Sequence, residues 1–196
     1  MLEIFVFLRM PSWRDILPTG KWETQQLGAQ LRGLRKMMVP LLHIAFGTAC
    51  GEKKLDAPAP MHRLYCKSPR IKAIYSRKRD FPLYILSAEY GLVEADETRA
   101  PYDRRMDLER ARELAPAVAD VLKDFDWFIF FNPQTPMEYT QCVKWAADLC
   151  NVRVAFIGWW PLGGLDDCLL IADALKETGR LPENQIRSLE VYPQRT

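Results

Sequence analysis

No stretch of this 196-residue sequence approaches 18 uninterrupted apolar residues, so a membrane-spanning helix is not expected. Histidine is scarce, with only His43 and His62, and the five cysteines at 50, 66, 142, 150 and 168 repeat no C-x-x-C spacing. Such a set does not suit a zinc centre, and no metal or other cofactor is expected. An odd cysteine count in a chain able to bury a core points to reduced thiols and a cytoplasmic setting. The apolar run at residues 2–8 is interrupted by Glu3, closed by Arg9 and followed by no small-residue cleavage site. It reads as a buried strand and not as a signal peptide. Internal repeats, low-complexity tracts and dividing linkers are all missing, which leaves a single domain as the expectation.

What is present is ordinary globular composition: 48% hydrophobic and 27% charged residues, with nine Phe, seven Tyr and six Trp. Disorder is excluded by that apolar content. The net charge of +2 conceals a segment of different character. Between Cys50 and Arg79 stand nine bases (Lys53, Lys54, Arg63, Lys67, Arg70, Lys72, Arg77, Lys78, Arg79) against Glu52 and Asp56, a local net of +7. A solvated basic helix face would read the same way. Interleaving with Tyr65 and Tyr75 favours a groove that tracks phosphates and stacks bases, so DNA, or RNA, is the expected partner.

Hydrophobic periodicity alternates between short apolar runs and helical spacing. Strands are expected at 4–8, 41–46, 83–86, 127–131 and 152–157, with an edge strand at 190–192. Helices are expected over 21–38, 69–79, 107–123, 135–150 and 164–178, the third of them broken or kinked by Pro116. Residues 47–60 and 87–106 read as loops. This succession implies right-handed crossovers and a mainly parallel sheet of four to five strands between helical layers, a three-layer α/β sandwich. Residues 1–40 would be a strand-plus-helix extension of that one domain.

Ligands bind such sheets beyond the carboxyl ends of the strands, which directs attention to four loops. In the first, Cys50 precedes Lys53 and Lys54, an electropositive setting that favours thiolate. Cys50 there is either a nucleophile or a small residue in a turn, and the glycine and lysine spacing does not make a Walker motif. The second loop combines Ser87, Tyr90 and Tyr102 with the acids Glu89, Glu94, Asp96, Glu97 and Asp103. A carboxylate beside a stacked base can position water, and Asp103, behind Pro101 and Tyr102, is the most rigidly placed candidate. In the third, Asn132 either reads a base edge or caps the next helix. The fourth carries Trp159 and Trp160, which either stack on a base or close the core.

The combination of Cys50, Lys53, Lys54, Pro58-Ala59-Pro60, Leu64-Tyr65 with Ser68, Ser87-Ala88 with Tyr90-Gly91-Leu92, and Pro101-Tyr102-Asp103 resembles an uncharacterised bacterial and phage family related to the peroxide-stress protein YaaA. Cys50, Lys53, Tyr65 and Ser68 are also similar, more distantly, to the catalytic motif of archaeosine synthase. There Ala49 replaces a leading proline and Ile71 stands where a histidine belongs, which argues against amine transfer to a deazaguanine nitrile. The resemblance implies a uracil-DNA glycosylase-like fold. By position in that fold, Glu52 would orient an attacking water, Asn132 would read the base and Trp159 to Leu162 would press into the duplex. The glycosylases' own Gly-x-Asp-Pro-Tyr motif is missing.

These readings converge on a DNA glycosylase that flips out and excises a modified base, such as a hypermodified phage base in antiphage defence. Glu52, Asp103 and Cys50 would be catalytic, and Ser87, Tyr90, Asn132 and Trp159 would line the base. Lys53, Lys54, Tyr65, Ser68, Arg70, Lys72, Arg77 and Lys78 would hold the backbone. Two alternatives stand beside it: a base-hypermodifying transferase with Cys50 as nucleophile, and a binder of nucleic acid without catalysis.

Overall fold

The computed structural model describes residues 41–51, 55–158, 162–186 and 189–193, all within one compact unit, 40–196. The elements expected in 1–40, and with them the extension, lie outside the described residues. In chain order the elements are β1 (Ile44–Ala49), β2 (Ala59–Pro60), α1 (Met61–Leu64), α2 (Pro69–Arg77), β3 (Leu83–Ser87), β4 (Gly91–Glu94) and β5 (Thr98–Arg99). They continue with α3 (Leu108–Leu122), β6 (Trp127–Phe131), α4 (Met137–Cys150), β7 (Arg153–Ile157), α5 (Leu162–Thr178), a 3₁₀ turn at Glu183–Gln185 and β8 (Leu189–Tyr192).

Among the described residues, six strands form one sheet in the order β4-β3-β1-β6-β7-β8. Its four inner strands, β3, β1, β6 and β7, run parallel. Both edges are antiparallel, β4 against β3 and β8 against β7. The fold is therefore mixed α/β with a mainly parallel sheet, one strand wider than expected. The added strand is β4, inside what reads from sequence as a polar loop. Its signal is short, Gly91 to Val93 before the charged Glu94, and Gly91 takes the left-handed φ of +73° that starts the return strand. β2 and β5 pair as a separate two-residue ladder.

Burial on both faces explains the near-continuous apolar inner strands. Along β6, Trp127, Ile129 and Phe131 enter the cluster built with Ile71 and Ile74 of α2 and Leu165, Cys168, Ile171 and Leu175 of α5. Phe128 and Phe130 point the other way, to Leu114, Val118 and Leu122 of α3 and Cys142, Val143 and Ala146 of α4. Helices thus cover both faces. β1 runs three residues later than its apolar pattern predicts, because Gly47, Thr48 and Ala49 are buried in the sheet although small or polar, whereas Leu41 is exposed. α3 is one continuous helix despite Pro116, which is exposed, so the carbonyl deprived of its partner faces water. No helix of the described residues is long and apolar enough to cross a membrane.

Gly47 is the tight point of this packing. A Cβ there would lie 2.1 Å from Cζ of Phe128, on the neighbouring strand β6. Small residues at 45, 47 and 49 make the space that the β6 phenylalanines fill. Gly47→Ala is expected to destabilise the fold by about 1–3 kcal/mol through overpacking. Urea unfolding measures the loss, and adding Phe128→Leu should recover part of it.

Candidate functional site

Cys50 follows directly on β1. Its N–H donates to the Leu86 carbonyl of β3 at 2.9 Å, and its own carbonyl accepts from the Arg70 guanidinium at 3.0 Å. The backbone on both sides of the thiol is therefore fixed. Cys50 Sγ lies 3.1 Å from the hydroxyl of Tyr139, in the first turn of α4. Tyr102, from the loop before α3, packs into the same two clusters as Cys50. Its hydroxyl is 2.7 Å from that of Tyr65. The fully buried Ser87 ends β3 near Tyr65 and Tyr102, and its hydroxyl offsets part of the rise in their phenol pKa values. Five segments, the ends of β1 and β3, the C-cap of α1, the loop before α3 and the start of α4, thus bring together one thiol and four hydroxyls.

Burial, reinforced by the neighbouring Cys50 sulfur, holds the phenols of Tyr65, Tyr102 and Tyr139 well above the usual tyrosine range. They remain O–H groups, able to donate to a developing negative charge. The other thiols are of a different kind. Cys142 is pushed up to about 12 and Cys168 well above its ordinary value, both by burial, which keeps them protonated.

Arg70 binds the site together. One of its terminal nitrogens donates to the carbonyls of Ala49 and Cys50 at 3.1 and 3.0 Å. The other donates to the Pro133 carbonyl at 3.0 Å and to Thr135 Oγ1 at 2.9 Å. The loops after β1 and β6 are tied by one side chain. Burial lowers its proton affinity and the nearby Cys50 and Tyr139 restore part of it, yet a guanidinium stays charged in any protein setting. Arg110 does similar work beside it, donating to Ala88 and Glu89 carbonyls at 2.8 and 2.7 Å and so fixing the turn after Ser87.

Of the residues singled out from sequence, the structure brings Cys50, Ser87 and Tyr65 into one cluster. Tyr65 is fully buried, so it belongs to this interior network and not to a surface that tracks phosphates. Ser68 is the N-cap of α2, accepting from Ile71 N, and Arg70 is spent on the two loops. Lys78 donates to the Phe81 carbonyl and Arg79 pairs with Asp173 at 2.8 Å, while one terminal nitrogen of Arg77 is buried. Arg63, Lys67 and Lys72 are exposed. Tyr75 already has His62 stacked on its ring, with centroids 3.8 Å apart.

Tyr90 stands edge-on to Tyr102, with centroids 5.4 Å apart, and donates to the Ala100 carbonyl. Asp103 is exposed. Asn132, at the end of β6, donates through Nδ2 to Thr140 Oγ1 at 2.9 Å, and its buried Oδ1 has no partner among the described residues. Glu52, Lys53, Lys54, Trp159 and Trp160 lie outside the described residues. No group of three or more His, Cys, Asp or Glu among the described residues is placed to hold a metal. In the sequence Tyr139 is marked only as core by its helical spacing, and Tyr102 only as an aromatic beside Tyr90.

Residues 47–130 match the model of a family described as a family of unknown function (DUF6884). That span takes in Cys50, Tyr65, Arg70, Ser87 and Tyr102 and ends before Asn132 and Tyr139. No curated protein and no solved structure matches the chain.

Replacing Arg70 by Met would strand three carbonyls, each at a cost of about 1–3 kcal/mol where water cannot reach them. Arg70→Lys should recover less than half of that loss, because an ammonium cannot fork to both loops. Urea midpoints of the two variants against the unaltered protein decide this.

Proposed function

We propose that the chain is an enzyme of nucleobase modification, in which Cys50 attacks an electrophilic carbon of a modified base flipped out of DNA. The observation that carries this reading is Cys50 Sγ at the carboxyl end of a central parallel strand, 3.1 Å from the buried phenol of Tyr139. Attack on a C=N or C=O carbon forms the S–C bond and moves the π pair onto the heteroatom. The thiol proton passes through a phenol to that heteroatom, so the adduct is neutral. Neutral donors suit this step, since they support charge as it develops without repelling an anionic backbone nearby. The exposed bases Arg63, Lys67 and Lys72 would hold phosphates, and the layered fold would be of uracil-DNA glycosylase type.

Base excision is the second reading, and Asn132 favours it. With Nδ2 committed to Thr140, its buried oxygen, unpartnered among the described residues, would be free to read a base edge. Water activated by Glu52 or Asp103 would then cleave the glycosidic bond.

Incubation with phage DNAs carrying modified bases, followed by mass spectrometry of bases and a test for alkali-labile sites, separates the two. The first reading expects altered bases in intact strands, abolished by Cys50→Ser and spared by Asp103→Asn. Abasic sites formed undiminished by Cys50→Ser would instead establish excision.

A further inference from the structure

The turn after β6 departs at one residue from the sequence that would fold it most easily. Thr135 N–H donates to the Asn132 carbonyl at 3.3 Å, closing a four-residue turn with Pro133 second and Gln134 third. Gln134 has a φ of +52°, in the left-handed region. Proline second and a positive φ third is the pattern of a type II turn, whose third position favours glycine or asparagine. Arg70 enforces the shape. One of its terminal nitrogens donates to the Pro133 carbonyl at 3.0 Å and to Thr135 Oγ1 at 2.9 Å, so both neighbours of Gln134 are held by the same atom. This clamp accounts for the conformation but not for glutamine, since glycine would adopt it without strain.

The fold itself makes no use of the side chain. Gln134 is exposed, and its amide makes no hydrogen bond among the described residues. In the same turn the buried Oδ1 of Asn132 is also without a partner among them. Backbone strain and unsatisfied polar atoms gather where a ligand is met. The place is that of the candidate site. β1 and β6 run parallel with Thr48 opposite Phe131, and Cys50 and Pro133 follow two residues further along each strand. The other terminal nitrogen of Arg70 donates to the Cys50 carbonyl at 3.0 Å, which ties the turn to the loop of the nucleophile.

We infer that Gln134 is a specificity-determining residue, whose amide reads the edge of the nucleobase presented to Cys50, donating to a ring nitrogen or carbonyl oxygen and accepting from the N–H group beside it. This rests on the reading of the chain as a nucleobase enzyme and deepens it by naming the group that recognises the base. A carboxamide offers a donor and an acceptor side by side, which matches such an edge in the way that glutamine matches adenine. A turn already held on both flanks loses little backbone freedom when it binds, so the strain is set against a smaller ordering cost.

The experiment is an NMR titration of isotope-labelled protein, with the ordinary 2′-deoxynucleosides, 5-hydroxymethyl-2′-deoxycytidine and inorganic phosphate as separate probes. The side-chain NH2 signals of Gln134, assigned by their loss in Gln134→Glu, should shift with at least one nucleoside and stay still with phosphate. Gln134→Glu, which keeps the shape without the donor, should weaken binding of that nucleoside about three- to tenfold. Gln134→Gly should weaken it as much and yet raise the urea midpoint, because the strain leaves with the side chain. Equal binding by Gln134→Gly and the unaltered protein overturns the inference, and so does a panel in which no nucleoside binds. Signals moved by phosphate would place the contact on the nucleic-acid backbone, and a lowered urea midpoint in Gln134→Gly would make the glutamine a support of the fold; either result overturns it too. No turnover enters this assay, so a protein that alters no base in phage DNA but titrates as expected would refute the base-modifying reading and leave the recognition standing.

Discussion

A parallel sheet leaves the carbonyls just past its strand ends without ladder partners, and here one guanidinium satisfies three of them across two loops. Arg70 reaches Ala49, Cys50 and Pro133 together, with Thr135 as a fourth acceptor. Burying a charge is expensive unless its hydrogen bonds are made, and a fork of planar donors makes four at once. The same placement puts a fixed positive charge beneath Cys50. Holding the loop and biasing the thiol's surroundings are therefore one interaction, and removing the side chain disturbs both.

The sheet is arranged to make that position available. β1 contributes its bulk at Ile44 and Phe46 on one face and only small residues at 45, 47 and 49 on the other. Phe128 and Phe130 from β6 occupy the space left over, down to the near contact at Gly47. Because β1 is thin where it ends, α4 can approach closely enough for Tyr139 to reach Cys50 Sγ. Thr48, inside the strand, donates to the Phe131 carbonyl at 2.8 Å and keeps β1 and β6 level at their ends. Packing and site geometry here have a common cause.

Much of the fold could be read from sequence because the inner strands and the covering helices carry strong periodic signals. β6, β7, α2, α4 and α5 lie within a few residues of expectation. What could not be read depended on tertiary partners. β4 exists because Gly91 turns the chain back along β3, and the end of β1 is buried by neighbours instead of by its own hydrophobicity. Pro116 sits in an unbroken helix because its face is wet. At the site, Cys50 and Ser87 were legible as polar residues at strand ends. Tyr139 is not, since an aromatic at helical spacing is normally core, and Arg70 reads as a phosphate ligand because a linear charge count cannot show a side chain turning inward.

The site's chemistry follows from what can be buried at a strand end next to a guanidinium. A carboxylate placed there would pair with Arg70 and pull it from the carbonyls it holds. Phenols and a serine leave it undisturbed, since they exchange hydrogen bonds among themselves and hold no charge. They also solve a directional problem that carboxylates do not have, because a hydroxyl can point its proton either way. For Ser87 the turn after β3 sets that direction by occupying both lone pairs with backbone N–H groups. Arg110, donating to the carbonyls of Ala88 and Glu89, holds that turn in shape. Two arginines that never touch the thiol thus decide where it sits and what it meets: one ties the loops around it, and the other steadies the peptide units that orient its neighbours.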